Sequence, residues 1–365
     1  MDGPHACAGA AAPATPGDGR RVAVVVPTLR GEPLLAGCLE ALDHQRFRGF
    51  RVVVVDNGGG RAAEWLRRAH PEVAVQVPGG NVGFAAAVNL AIEGGTEPLL
   101  ALLNDDARPE PDWLAALVAA LDADSSLSFV CGKVVAADDP GRIDSAGDGL
   151  SRLLLPYPIG RFERDTGQYG AVRPVLLPPG SAVLVRRALF EDAGPLEASF
   201  FAYFEDADLG LRAALLGHRG GYIPGAVARH LGSATSGSMI NAHTVRLSTR
   251  NLVRAQVRNL PGGVACRRGP ALLAGHAYWF LKMAVKEAHP LAWLRGFVGG
   301  LVRVPGDLGA RRRLLRRRRV DDRALVAMFD ASAAEVAASV RRKRGATSGV
   351  GARVFNAKNT KKRRE

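Results

Sequence analysis

The chain has 365 residues, 47% hydrophobic and 23% charged, with a formal net charge of +14. That length and apolar share support one large domain with additions, or two modest ones, and exclude a chain too polar to bury a core. Four cysteines, Cys7, Cys38, Cys131 and Cys266, form no CxxC pair, which argues against a zinc site or disulfide framework and for a reducing compartment. From Arg250 onward 27 Lys and Arg face 7 Asp and Glu, a net of +20, whereas the preceding residues are net −6. The basicity therefore belongs to a C-terminal attachment on a mildly acidic body.

In chain order, residues 1–20 run in Ala, Gly and Pro with Asp2 in place of a basic start, which predicts a disordered extension, not a signal peptide. Apolar β-branched runs follow at 22–27 (Val-Ala-Val-Val-Val-Pro) and 51–56, with further strand-length runs at 73–77 and 99–103. Unbroken runs fit parallel strands covered on both faces. Between them, 32–42, 62–69 and 84–92 carry helical apolar spacing. This β-α-β-α order predicts a doubly wound α/β sheet with ligands beyond the carboxyl ends of its strands. Three of those ends carry Pro27-Thr28, Asp56-Asn57 and Asn104-Asp105-Asp106. Later, short strands at 129–135 and 182–185 sit among Pro- and Gly-rich loops. Helices are predicted at 206–216 and 241–259, the second with Arg246, Arg250, Arg254 and Arg258 at four-residue spacing.

Several residues carry candidate chemistry. Asp56 either accepts hydrogen bonds from a base or ribose, or is there for its turn propensity. The segment from Asn81 through Gly83 offers either helix amides to an anion or an ordinary cap. Two adjacent carboxylates at Asp105 and Asp106 are costly unless a cation or strong donors balance them, and a hard divalent ion does so; the alternative is a solvated loop capping the next helix at Asp112-Trp113. Phe200, Phe201, Tyr203 and Phe204 abut Glu205, Asp206 and Asp208; an apolar wall raises a carboxylate's proton affinity and suits it to general base work, while Asp206 or Asp208 as a helix N-cap is the competing reading. His230 is a metal ligand or a structural histidine. No GxGxxG follows the first strand, so a dinucleotide oxidoreductase site lacks its phosphate loop.

Taken in order, Val-Val-Val-Pro-Thr, Val-Val-Val-Val-Asp-Asn, Asn-Val-Gly-Phe-Ala-Ala-Ala-Val-Asn, Leu-Asn-Asp-Asp, Pro-Gly-Ser-Ala-Val-Leu-Val-Arg-Arg and Phe-Glu-Asp-Ala-Asp-Leu-Gly-Leu-Arg resemble inverting glycosyltransferase family 2, in its rhamnosyltransferase-like branch. The resemblance spans about residues 21–259. It implies a GT-A fold, a Rossmann-like mixed sheet flanked by helices; outside the resemblance, the residues themselves predict a C-terminal helical, membrane-associated extension. It also implies sugar transfer from a nucleotide-diphosphate donor (dTDP-rhamnose or a UDP-sugar) to a glycan or polyprenyl-diphosphate glycolipid in cell-surface polysaccharide synthesis. By that resemblance Pro27, Thr28, Asp56, Asn81, Gly83, Asn104, Asp105 and Asp106 line the donor site, and Asp206 is the catalytic base. Gly180 and Glu205 lie toward the acceptor, and Asp106 with His230 holds Mg2+ or Mn2+. Asn104 stands where the family's DxD element has its first Asp, so Asp106 carries most of that role. A galactofuranosyl or other hexosyl donor, or a non-catalytic sugar-nucleotide-binding assembly protein, are the alternatives.

The domain plan that follows is an extension at 1–20, a GT-A domain at 21–260, an amphipathic membrane-associating region at 261–320 and a basic tail at 321–365. Apolar stretches at 271–285 and 291–304, flanked by seven arginines within 311–319, fit helices lying on an anionic membrane surface better than spanning it. That places the enzyme peripherally on the cytoplasmic face of the membrane. A solvated basic tail is the plain alternative. No specific nucleic-acid partner is expected, because the acidic body carries no recognition motif.

Overall fold

The computed structural model describes residues 20–232 and 240–361, with side chains through Arg344. The extension expected at 1–20 lies outside the described residues apart from Arg20.

The first third alternates strand and helix: β1 (Val22–Thr28), α1 (Leu34–Asp43), β2 (Phe50–Asp56), α2 (Arg61–Ala69), β3 (Ala74–Gln76), α3 (Phe84–Glu93), β4 (Leu99–Leu103), β5 (Ala107–Pro109) and α4 (Trp113–Ala123). β1 lies between β2 and β4 and parallel to both, with Val22 opposite Phe50 and Leu99, and Thr28 opposite Asp56. Every residue of β1 and β4 is buried, which is why continuous Val and Leu runs mark them. Successive side chains enter opposite cores. Ala23, Val25, Val53 and Val55 pack with Ala87, Val88 and Ala91 of α3. Val22, Val24, Val26 and Val54 pack with Leu35, Leu39 and Leu42 of α1, Leu66 of α2, and Trp113 and Leu114 of α4.

Beyond α4 come β6 (Leu127–Ala136), β7 (Ile143–Ser145), β8 (Asp148–Leu150), β9 (Pro156–Pro158), β10 (Arg173–Val175), β11 (Ala182–Arg186), α5 (Arg187–Ala193), a 3₁₀ turn at Ala198–Phe200, α6 (Glu205–Leu215) and β12 (Arg219–His230). β11 runs antiparallel between β4 and β6, and β12 runs parallel to β6. The sheet order is β10-β12-β6-β11-β4-β1-β2-β3, with β5 on β12 and β7 on β6. This is the mixed, Rossmann-like sheet expected for a GT-A domain.

The chain continues as α7 (Ala242–Asn259), α8 (Gly262–Arg267), α9 (Gly269–Phe280), a π-helical turn at Leu281–Lys286, α10 (Pro290–Arg316) and α11 (Asp322–Lys361). Asn241 caps α7 reciprocally: Thr244 N donates to its Oδ1 at 3.0 Å, and Asn241 N donates to Thr244 Oγ1 at 2.9 Å. α10 lies against α7 at glycine distance, since a Cβ at Gly296 would stand 2.5 Å from the Arg246 carbonyl oxygen. Among the described residues no helix is long and apolar enough to cross a membrane.

One expectation is corrected. Residues 322–361 form a helix, and its first half is not a solvated tail. Leu325 and Phe329 join a third core with Leu177, Leu211, Leu215 and Val264. The Ser332 and Ser339 hydroxyls accept from Leu150 N and Gly160 N at 2.8 and 2.9 Å. Apolar residues at 325, 329, 333, 336 and 340 supply the buried stripe that the run of arginines had hidden.

Candidate active site

Strand register builds the first half of the site. β5 pairs antiparallel with the end of β12, placing Ala107 opposite His230 and so Asp106 beside the histidine ring. His230 Nε2 lies 3.1 Å from Asp106 Oδ1, and its Nδ1 lies 2.8 Å from Asp144 Oδ2. Asp144 arrives on β7, which pairs with β6, itself the neighbour of β12. Burial alone would lower the imidazole's proton affinity, but hydrogen bonds to both carboxylates outweigh it and raise the pKa to about 9. Burial pushes Asp144 up, while His230 and Arg161 hold it below its ordinary value. Asn104 Nδ2 stands 3.5 Å from His230 Nε2. Asp144 is a site residue that the sequence did not reveal.

Other expected donor-site residues are occupied by local structure. The Thr28 hydroxyl donates to Asp105 Oδ2 at 2.7 Å and accepts from Gly31 N at 3.0 Å, so the buried Asp105 is anchored to the end of β1. Pro27 is buried within β1. Asp56 accepts from Gly58 N at 2.7 Å and Ala63 N at 2.9 Å, building the turn into α2. Of its two readings, the turn role is the one with observed partners. Asn81 Oδ1 accepts from Gly83 N at 3.0 Å, but the N-cap of α3 is Gly83, not Asn81. The α3 amide of Ala85 is taken by the Phe201 carbonyl at 3.2 Å and does not face an open anion site. Gly83 has φ +86°, and a Cβ there would stand 2.5 Å from the Phe201 carbonyl oxygen.

The second half surrounds α6. Asp206 Oδ1 accepts from Ala207 N at 2.7 Å and Oδ2 from Gly180 N at 3.1 Å. Neither Asp206 nor Asp208 is the N-cap, which is Phe204 in a left-handed conformation. A Cβ at Gly180 would come within 2.9 Å of Asp206 Oδ2, so this approach requires glycine. Burial raises the Asp206 carboxyl above its ordinary value against these amide bonds. Burial, then Asp206, raises Glu205 well above its own, and Glu205 Oε2 has no hydrogen-bond partner among the described residues. Burial, then Asp206, lifts Asp148 to about 7. Asp208 differs: burial pushes it up, but Arg212 and Arg258 hold it below the usual carboxylate range. Two carboxyls of one helical turn are thus pushed in opposite directions, Asp206 toward proton exchange and Asp208 toward a fixed charge.

The loop before α6 is strained, with φ +67°, +70° and +70° at Phe201, Tyr203 and Phe204. Asn251 of α7 holds it, its Nδ2 lying 3.0, 3.0 and 2.7 Å from the carbonyl oxygens of Phe200, Ala202 and Tyr203. Arg250 Nη2 adds a bond to the Phe200 carbonyl at 2.7 Å. Of the arginine stripe expected on α7, Arg250, Arg254 and Arg258 turn inward to buried partners, whereas Arg246 is exposed.

A profile of the family described as "Glycosyltransferase like family 2" matches residues 19–253. The chain belongs to glycosyltransferase family 2. An N-acetylglucosaminyl-diphospho-decaprenol L-rhamnosyltransferase of Mycobacterium tuberculosis is 28% identical over 233 residues, covering 57% of this chain and 75% of that relative. S. aureus TarS, residues 1–349, superposes with TM-score 0.52 at 16% identity, covering 88% of this chain and 92% of that one. GalNAc-T7, solved with UDP, GalNAc and Mn2+, gives TM-score 0.51 at 14% identity, and this chain covers 59% of its length while matching over 75% of its own. These structures share the GT-A fold with this family 2 glycosyltransferase. Among its described residues, no group of three or more His, Cys, Asp or Glu converges as a metal cluster. The mixed donor pair of Asp106 and His230, with Asp144 fixing the far ring nitrogen, nonetheless fits a divalent ion that takes its remaining ligands from substrate phosphate and water.

Proposed function

We propose that this chain transfers rhamnose from dTDP-rhamnose to a glycan or polyprenyl-diphosphate-linked acceptor, inverting the anomeric carbon, in cell-surface polysaccharide synthesis. The observation that carries the transfer reading is the pairing of two differently tuned halves, Asp106 with His230 and Asp206 with Gly180. The choice of rhamnose and of a diphosphate-linked acceptor is supported by the mycobacterial relative, whose name states both.

In this reading Asp206 takes the proton of the acceptor hydroxyl. The hydroxyl oxygen bonds to the anomeric carbon from the face opposite the diphosphate, and the breaking C–O bond leaves its electron pair on the nucleoside diphosphate. A base raised toward neutrality by burial suits that proton transfer. Burial and the neighbouring Asp206 push Glu205 well above its ordinary value, which favours its neutral form and disfavours a second adjacent negative charge. Asp106 and His230 would hold Mg2+ or Mn2+, and the bound ion would neutralise charge on the departing diphosphate. Asp144 keeps the Nδ1 proton on His230 and leaves Nε2 as the coordinating nitrogen.

The site of action in this reading is the anionic cytoplasmic face of the membrane. Supporting it, α10 exposes Leu291, Leu294, Val298, Leu301 and Val302 on a region of strong positive charge. A panel of sugar nucleotides, including dTDP-rhamnose and UDP-galactofuranose, assayed with a polyprenyl-diphosphate-linked acceptor and Mg2+ or Mn2+, tests the reading. Rhamnosyl transfer with inverted configuration, read by NMR of the product, is expected. Transfer from another donor alone, or a retained configuration, would overturn the corresponding part.

A further inference from the structure

Three segments distant in sequence bring cations within electrostatic reach of one another, and one of them, Arg161, contacts Asp144. Arg161 follows β9, Lys282 and Lys286 lie on the π-helical turn, and Lys343 lies on α11. The Arg161 guanidinium is 3.6 Å from Asp144 Oδ1 and 5.2 Å from the centre of the Phe162 ring, and Lys343 Nζ is 4.5 Å from the same ring. Lys282 Nζ is 5.8 Å from the Trp279 ring, which meets Phe204, the N-cap of α6, edge-on at 6.2 Å. Arg161 thus adjoins the His230 arm of the site, and Lys282 adjoins the aromatic pair that leads to the helix bearing Asp206. Burial lowers the proton affinity of Lys282; Glu287 opposes this, and Arg161, Lys286 and Lys343 lower it further. Burial, then Arg161 and Lys286, does the same to Lys343. Like charges gathered this way repel, and an anion with several oxygens relieves the cost.

The same turn carries the opposite chemistry next to its cations. Leu281 and Val285, adjacent in sequence to Lys282 and Lys286, are 58% and 61% exposed, and Tyr278 and Phe280 are exposed nearby. A ligand that matches both surfaces has a compact polyanionic group joined to a long apolar chain. We propose that Arg161, Lys282, Lys286 and Lys343 hold the diphosphate bridge of the lipid-linked acceptor, whose chain leaves across Leu281 and Val285 into the bilayer. This rests on the glycosyl-transfer reading and adds the place where the acceptor's phosphates sit.

Farnesyl diphosphate is the probe, titrated calorimetrically into the full chain with a chelator present so that metal-assisted binding at the donor site does not contribute. Inorganic pyrophosphate, farnesol, and phosphatidylcholine vesicles with and without phosphatidylglycerol form the comparison arms. Farnesyl diphosphate is expected to bind more tightly than pyrophosphate or farnesol, and K282Q/K343Q is expected to weaken it about tenfold or more. The exposed Lys286→Gln change gives a smaller loss and replaces the double variant should circular dichroism show that one unfolded. Unchanged farnesyl diphosphate binding in these variants would overturn the site. So would a loss confined to phosphatidylglycerol vesicles, which would make the cluster a sensor of bilayer charge only. Metal-dependent release of sugar from the sugar-nucleotide panel by the unaltered chain is measured separately. Its absence beside intact, lysine-dependent farnesyl diphosphate binding would remove the transfer reading and leave the lipid-diphosphate site standing.

Discussion

Arg254 of α7 and Asp307 of α10 meet in a two-point ion pair, at 2.8 and 2.9 Å, with side chains only 5% and 2% exposed. Arg258 joins the same carboxylate at 3.0 Å and reaches Asp208 of α6 at 3.2 Å. α10 is therefore wired to α6, the helix that carries Asp206, through one buried network. Replacing Asp307 by Ala leaves two guanidinium groups without that counter-charge, and breaking a buried pair this way costs about 3–5 kcal/mol. Urea unfolding measured beside the parent chain checks it; a loss within experimental error would show that the network adds nothing to stability.

Asp206→Asn keeps the size of the side chain but removes the proton acceptor, and of the two amide bonds from Ala207 N and Gly180 N it can accept only one, through Oδ1. Transfer is expected to fall by a factor of about 10²–10⁴, with nucleotide affinity retained. Because burial raises the Asp206 carboxyl, activity should climb with pH through a midpoint above the ordinary aspartate range. A pH–rate profile on the parent chain, alongside nucleotide titration of the variant, reads both.

Asp144 and His230 make a pH-dependent pair whose sign can be stated. With no metal bound, the imidazolium's contribution to stability is full below the ordinary histidine value of 6.5 and is lost as pH rises through about 9. A divalent ion must displace the Nε2 proton, so Mn2+ affinity should rise about tenfold per pH unit and level off above about 9. Asp144→Asn removes one of the charges holding that proton. The plateau should move to lower pH, and affinity on the plateau should drop about 10–100-fold through lost ring positioning. Mn2+ titration followed by electron paramagnetic resonance gives both quantities.

Gly83→Ala drives a methyl group toward the Phe201 carbonyl, 2.5 Å away, at a backbone angle of +86°. The strain should cost about 1–3 kcal/mol and displace the loop that leads into Asp206. A lower melting temperature together with reduced kcat is expected; reduced stability with full kcat would mean that the loop absorbs the change without moving the base.

Exposed Leu291 and Val302 on α10 are 68% and 71% accessible and contribute little to the core. Changing both to Ser should leave the fold's stability near that of the parent while reducing flotation with phosphatidylglycerol vesicles. Flotation equal to the parent's would move the membrane contact elsewhere.

Much of the fold could be read from sequence because strands buried on both faces, as at Val22–Thr28 and Leu99–Leu103, announce themselves as apolar runs. Asp106, Asp206 and His230 stood out as candidates because they lie just past a strand, in the first turn of a helix and at the end of a strand. Asp144 did not: it sits on a three-residue strand among loops, and only the chain of registers from β7 to β6 to β12 carries it to His230. The stripe of Arg250, Arg254 and Arg258 was visible as a spacing, but spacing alone does not say whether a charged row faces water or buried acids. The α11 stripe from Leu325 through Val340 was also present, masked by the net charge around it. Thr28 and Asp56 illustrate the reverse limit, since polar residues at strand ends can serve the turn itself.

The three contacts from the Asn251 amide to the loop ahead of α6 bear on how this scaffold can be recombined. A chimera joined near residue 240, giving the sheet a foreign C-terminal module, would import a different clamp for the very loop that aims Asp206. The C-terminal module and the placement of Asp206 would consequently change together, and a workable exchange point should lie upstream of the strained aromatic loop or beyond α10.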